Sequence, residues 1–228
     1  MRVDIITLFP PMFENVLGLS ILKRASEKGL VEYHLHNLRD WSTDKYGSVD
    51  DHPYGGGVGM VLRVDIVAPA IAHVKKENPG APVILMTPQG AHYKQAKALE
   101  LAKLSGLILI AGHYEGYDER IREYVDQEIS IGDYVLTGGE LPAMTVIDSV
   151  VRLLPGVLGD DLSSVSESFS ENLLEYPQYT RPMEYESKNV PEILLGGNHK
   201  LIEEWRQSQA IAKTKQRRPD LLHTPVAE

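Results

Sequence analysis

The chain has 228 residues, 43% of them hydrophobic and 24% charged, with a formal net charge of −9 and no cysteine. That length allows one large domain or two small ones, and the composition supports a packed core over wholesale disorder. The missing cysteines exclude disulfides, thiolate metal sites and a cysteine nucleophile, and no apolar run approaches the roughly 18 residues that span a bilayer. The acidic balance argues mildly against a nucleic-acid partner unless Lys and Arg cluster locally.

Residues 3–8 (VDIITL) form an apolar run ended by Pro10 and Pro11. With Asp4 inside it and no small-residue cleavage site after it, this run reads as a first strand and not a signal peptide. Residues 12–28 show helical spacing and stop at Gly29, and residues 31–35 alternate as a second strand. Residues 37–59 are polar, rich in Gly and Asp and without period, so they read as a long functional or mobile loop. Residues 63–76 return to a helical pattern. A strand at 82–86 (PVILM) is followed by a turn, TPQG, and a helix over 92–104. A strand at 107–111 (LILIA) precedes GHYEG and a helical stretch over 117–124. A strand at 128–131 leads into the glycines at 138 and 139, and 141–154 is a largely apolar helix. This alternation predicts an α/β fold, a mostly parallel sheet with helices on both faces.

The pattern changes near Pro155. Residues 159–170 (GDDLSSVSESFS) are small, polar and acidic, as in a linker. An extended PQYTRP and a helix over 198–214 follow. The expected division is a domain over 1–159, a flexible linker over 160–170 and a small, mainly helical domain over 171–228.

Three loops, TPQG at 87–90, GHYEG at 112–116 and IGDYVLTGGELP at 131–142, each follow a strand of the proposed sheet. In open α/β sheets ligands gather beyond the carboxyl ends of the strands, and glycines let the backbone approach them. Each loop taken singly also fits a plain chain reversal. None carries GxGxxG or GxxxxGK[ST], so a dinucleotide or ATP phosphate site is unsupported. PYGGGVGM at 53–60 is the most glycine-dense stretch; by composition it is equally a flexible surface loop.

These segments, with RLLPGVLG at 152–159, ESFSENLLEYPQYTRP at 167–182 and WRQSQAIAKTKQRRPDLL at 205–222, resemble the bacterial tRNA (guanine-N1)-methyltransferases of the TrmD type, in the knotted SPOUT class. The motifs run in family order over nearly the whole chain. The resemblance implies a deep trefoil knot in the first domain, an exception to the rule against knots. It implies a pocket for S-adenosyl-L-methionine. The first loop would supply Leu85, Thr87, Pro88, Gln89 and Gly90, and the second Gly112, Tyr114, Glu115 and Gly116. The third would supply Ile131, Gly132, Tyr134, Leu136, Gly138, Gly139 and Pro142.

The acceptor implied is N1 of guanosine 37, just 3′ of the tRNA anticodon. That nitrogen needs a base to take its proton and a cation to steady charge on O6. The family's base is the Asp of a DSF pattern; this chain has Glu167-Ser168-Phe169. Glu keeps the carboxylate and adds a methylene, with a reference pKa only about 0.4 units higher. Arg152 matches the family's functional arginine, and Glu115 could balance the sulfonium charge. Between positions 200 and 218, Lys200, Arg206, Lys213, Lys215, Arg217 and Arg218 stand against Glu203 and Glu204, where the family holds its tRNA-binding domain. A cytoplasmic homodimer with no membrane association, an active site built from both subunits and magnesium dependence are also implied, although no His/Asp cluster shows metal-ligand spacing. Two other readings stand beside this one. One is an RNA-binding module that holds the donor without catalysing, and the other is a knotted methyltransferase with a different RNA target.

Overall fold

The computed structural model describes residues 1–159, 167–169 and 172–223. The flexible linker expected over 160–170 falls mostly outside the described residues. By its internal contacts the chain divides into two compact units, Met1–Gly159 and Asp160–Glu228.

In chain order the first unit has β1 (Arg2–Thr7), α1 (Pro10–Leu17), α2 (Ser20–Glu27) and β2 (Glu32–Asn37). A short antiparallel pair follows, β3 (Asp50–Asp51) and β4 (Val61–Leu62), and then α3 (Val64–Glu77). The remainder is β5 (Val83–His92), α4 (Gln95–Leu101), β6 (Gly106–Ala111), β7 (Gln127–Ser130) and α5 (Glu140–Val151). Five strands make one sheet in the order β2-β1-β6-β5-β7, and every neighbouring pair is parallel.

Strand side chains alternate between two cores. Val3, Ile5, Ile84, Met86, Leu107 and Leu109 pack with α1, α2, α4 and α5. Ile6, Val83, Leu85, Ile108 and Ile110 pack with α3. A strand buried on both faces reads as a continuous apolar run, which is why LILIA and PVILM show no alternation. Helices therefore cover both faces of the sheet.

The structure departs from the sequence reading in four places. The helix expected over 12–28 is two helices. At Gly18 a Cβ would lie 2.7 Å from the Glu14 carbonyl oxygen, and Ser20 has φ of 52°. The chain turns there instead of continuing. The strand expected to end at Met86 runs on to His92, so the next helix starts at Gln95 and not at 92. The loop expected over 37–59 contains a 3-10 turn, Leu38–Trp41, and the strand β3. Residues 117–124, expected as helix, hold a 3-10 segment, Glu119–Tyr124.

The second unit carries a small hairpin, β8 (Glu184–Tyr185) with β9 (Lys188–Asn189), and one long helix, α6 (His199–Arg217). Asn198 caps α6, its side chain accepting from Leu201 N. Thr214 is fully buried; its hydroxyl donates to Ala210 O at 2.7 Å and accepts from Leu174 N at 2.8 Å. Lys213 Nζ donates to Glu175 O at 2.9 Å. Residues 174–175 are thereby pinned to α6.

One buried charge sits at the opening of β1. Asp4 is fully buried and accepts from Arg2, at 2.9 Å, and from Asn78 Nδ2, at 2.8 Å; His36 Nε2 lies 2.7 Å from it. Arg2 also reaches Glu77 at 2.9 Å. Asp4, His36 and Glu77 bring one ligating atom each within 4.8 Å of the others, and the Arg2 guanidinium already bridges the two acids. Burial pushes the Asp4 carboxyl up, but hydrogen bonds from His36, Arg2 and Asn78 outweigh it and bring it down to about 2. A carboxylate held below its unfolded value stabilises the fold above that value and loses the contribution as pH falls towards the folded one. Urea unfolding should therefore show a loss on the order of 2 kcal/mol between pH 5 and pH 2 from this group. Asp4→Asn should flatten that part of the profile; an unchanged profile would remove Asp4 as its source.

Candidate active site

The strand order sets the site. β6, β5 and β7 lie side by side and parallel, so the loops leaving their carboxyl ends share one edge of the sheet. The three loops surround an open-sided cleft of about 780 Å³, counting the solvent space at its mouth.

The first loop is a bulge inside β5. Met86 and Ala91 both pair with Ile129 of β7, so residues 87–90 leave the sheet and the chain then resumes its pairing. Thr87 and Pro88 face the cleft. Leu85, Gln89 and Gly90, expected beside them, do not line it. Leu85 is buried in the core. The Gln89 side chain turns to the Arg122 guanidinium. A Cβ on Gly90 would lie 2.4 Å from Ile129 N, so glycine there serves the close approach of two strands.

The second loop brings Gly112, Tyr114, Glu115 and Gly116 to the cleft. Tyr114 has φ of 61°, a left-handed conformation that costs energy for a bulky residue and clusters at functional sites. Burial and the Asp50 carboxylate push its hydroxyl pKa up, with Arg39 opposing. The PYGGGVGM segment lies against this loop. Glu115 N donates to Met60 O and Leu62 N to Gly116 O, each at 3.0 Å. Gly59 has φ of 87°, and a Cβ there would sit 2.4 Å from Glu115 Cγ, so the segment passes where only glycine fits.

The third loop brings Ile131, Gly132, Tyr134, Leu136, Gly138, Gly139 and Pro142. Gly139 N donates to Gly112 O at 2.7 Å, which locks this loop to the second. Met86, His113, Tyr117, Val135 and Thr137 also face the cleft and were not among the expected residues. All five sit inside or beside the same motifs; loop residues point both ways without a period, so spacing could not separate them.

Arg152 is half-buried at the C-cap of α5 and does not line the cleft. Glu167 belongs to the second unit and is half-buried. The two residues after it are held firmly. Ser168 Oγ accepts from Glu175 N at 3.0 Å, and Phe169 N donates to Leu173 O at 2.8 Å. The Arg218 guanidinium stands 6.0 Å from the Phe169 ring centre. The six cations of this region divide. Arg206 lies over Tyr176, Lys213 binds Glu175 O and Arg218 pairs with Asp220, whereas Lys200, Lys215 and Arg217 are exposed.

A family profile described as tRNA (Guanine-1)-methyltransferase TrmD matches residues 1–224. The chain belongs to the TrmD family. A tRNA (guanine-N(1)-)-methyltransferase of Geobacillus kaustophilus is 59% identical over 97% of this chain and 91% of its own length. The Bacillus subtilis protein of the same name is 57% identical, covering 97% and 92%. A crystal structure of tRNA (m1G37) methyltransferase from Aquifex aeolicus superposes with a TM-score of 0.80 at 40% identity, covering 97% of this chain and 94% of that one. The three-loop cleft of this TrmD-family chain depends on tight backbone contact. Gly139→Ala would set a Cβ 2.6 Å from Gly112 N. It should lose about 2 kcal/mol in urea unfolding, the usual cost of overpacking. Gly159→Ala, with nothing within 4 Å of the added carbon, is the control; equal losses would refute the packing argument.

Proposed function

We propose that this chain transfers the methyl group of S-adenosylmethionine to N1 of guanosine 37 in tRNA. The observation that carries the reading is the convergence of three loops from adjacent parallel strands on one cleft, in a chain of the TrmD family. When bound, S-adenosylmethionine supplies an electrophilic methyl group on a positively charged sulfur.

The cleft suits that donor. Gly112 and Gly138 bring the backbone close to the cleft for an adenine edge, and Pro88, Ile131, Leu136 and Pro142 offer apolar cover for its faces. No loop supplies a phosphate cradle, and the donor has no phosphate. Glu115 is exposed at the rim and gives a carboxylate to balance the sulfonium charge. Glu167 takes the proton from guanine N1, and Arg152 steadies charge developing on O6.

Helix α5 separates Arg152 from the cleft. Its first turn forms the cleft, and its 12 residues run about 18 Å to Arg152. That separation supports a homodimer in which Arg152 and Glu167 of one copy serve the cleft of another. The same reading carries a trefoil knot in the first unit, the cleft loops forming its crossings. Magnesium dependence belongs to the family resemblance. Among the described residues the one group of three ligating side chains is Asp4, His36 and Glu77, and Arg2 already bridges its acids; no step is assigned to a metal.

Transfer of labelled methyl to purified tRNA, with mass spectrometry of the digest, tests the reading. The parent should give 1-methylguanosine at position 37, and Glu167→Gln should be on the order of 100-fold slower, as for loss of a general base. An inactive parent that still binds the donor would favour a non-catalytic RNA-binding module. A glutamine variant as fast as the parent would remove Glu167 as base. For tRNA binding, Lys215→Ala and Arg217→Ala should each weaken affinity and reduce the salt slope by about 1, while sparing donor binding. Unchanged slopes in filter-binding titrations would move the phosphate contacts elsewhere.

A further inference from the structure

Glu140 is a charged side chain in the floor beneath the cleft, only 2% exposed. It opens α5 directly after the two glycines of the third loop. A carboxylate survives such burial only when its oxygens are engaged, and the helix N-terminus favours its negative charge. One oxygen accepts from Thr7 Oγ1, at the end of β1, at 3.1 Å. Thr7 Oγ1 in turn accepts from Phe9 N at 3.0 Å, and the Phe9 ring packs edge-on against His113 with centroids 4.9 Å apart. The other carboxylate oxygen lies 3.8 Å from His113 Nδ1, a buried nitrogen without a hydrogen-bond partner among the described residues. Gly138 passes over this pair. A Cβ there would lie 2.3 Å from Glu140 Oε2 and 2.6 Å from His113 Nδ1, so the third loop has its height because the carboxylate and the imidazole fill the space below.

We propose that Glu140 is the positioning residue that fixes the floor of the donor cleft. Its carboxylate binds the end of β1 and fills the space between the imidazole of the loop after β6 and the glycine of the loop before α5. Glu140 does not line the cleft and acts through His113 and Gly138, which do. The inference rests on the reading that the cleft takes S-adenosylmethionine. Because the residue shapes a binding surface and not the reacting atoms, its loss falls on donor KM and spares kcat at saturating donor.

Titration calorimetry with S-adenosylmethionine and steady-state methyl transfer test this in Glu140→Ala and Glu140→Gln. Glutamine keeps an oxygen for Thr7 and nearly the same side-chain volume, so it is the rescue variant. Glu140→Ala should raise donor Kd and KM about tenfold or more, with kcat at saturating donor within about threefold of the parent. Glu140→Gln should recover most of the affinity. Parent-like donor affinity in Glu140→Ala, a fall in kcat at unchanged donor KM, or a glutamine variant no better than alanine would each overturn the proposal. If Glu140→Ala does not fold, Thr7→Val decides, since it removes one hydroxyl at nearly constant volume. A raised donor KM then supports the tie, and an unchanged one overturns it. A parent that binds no S-adenosylmethionine overturns the donor reading and this inference with it.

Discussion

Two residues of β5, Met86 and Ala91, pair with the same residue of β7, Ile129. The four residues between them have no partner in the sheet and must leave it. That constraint produces the first wall of the cleft, and the other walls follow from where β5 sits. It lies between β6 and β7, so the loops leaving those strands stand on either side of the bulge. Close backbone approach then joins them. Gly139 binds Gly112 across the second and third loops, and Gly90 lets the bulge return to β7. A larger side chain at any of these points would open the cleft by moving a strand or a loop, not by displacing a flexible tip.

β1 carries a buried acid at one end and receives one at the other. Asp4 is held by a guanidinium, an imidazole and an amide, a set of donors that favours its charged form. Glu140 meets the Thr7 hydroxyl, a more distant imidazole and the start of α5. The first set includes a guanidinium and lies towards the amino-terminal end of the strand. The second is poorer and lies under the cleft floor. The denser network holds the start of the strand, and the sparer one sits where loops have to accommodate a ligand.

Much of the fold was legible in the sequence. Short apolar runs bounded by glycine and proline mark the central strands, because parallel strands covered on both faces are apolar throughout. What failed to show was continuity. Residues 12–28 keep helical spacing across a break at Gly18 and Ser20, since periodicity is blind to a local turn. TPQG reads as the end of a strand although the strand resumes beyond it; a bulge and a turn share their residues. The cleft residues were legible through motif order, and the geometry separates them further. Gln89 and Gly90 stand in the same tetrapeptide as Thr87 and Pro88, yet they face Arg122 and β7. Which side of a loop a residue takes is decided by its tertiary neighbours, and no period encodes it.

The carboxylate proposed as base differs from the family pattern by one methylene. A longer side chain has one more rotatable bond, and freedom at the reacting atom costs rate. The surroundings limit that freedom. Ser168 and Phe169 are fixed by Glu175 and Leu173, and Leu174 and Glu175 are fixed in turn to Thr214 and Lys213 of α6. The backbone that presents Glu167 is thus tied to the helix bearing the exposed cations Lys215 and Arg217. In the proposed reaction, phosphate contacts on α6 and the position of the base belong to one rigid arrangement. Seating the tRNA backbone on that helix then sets where the carboxylate meets the guanine.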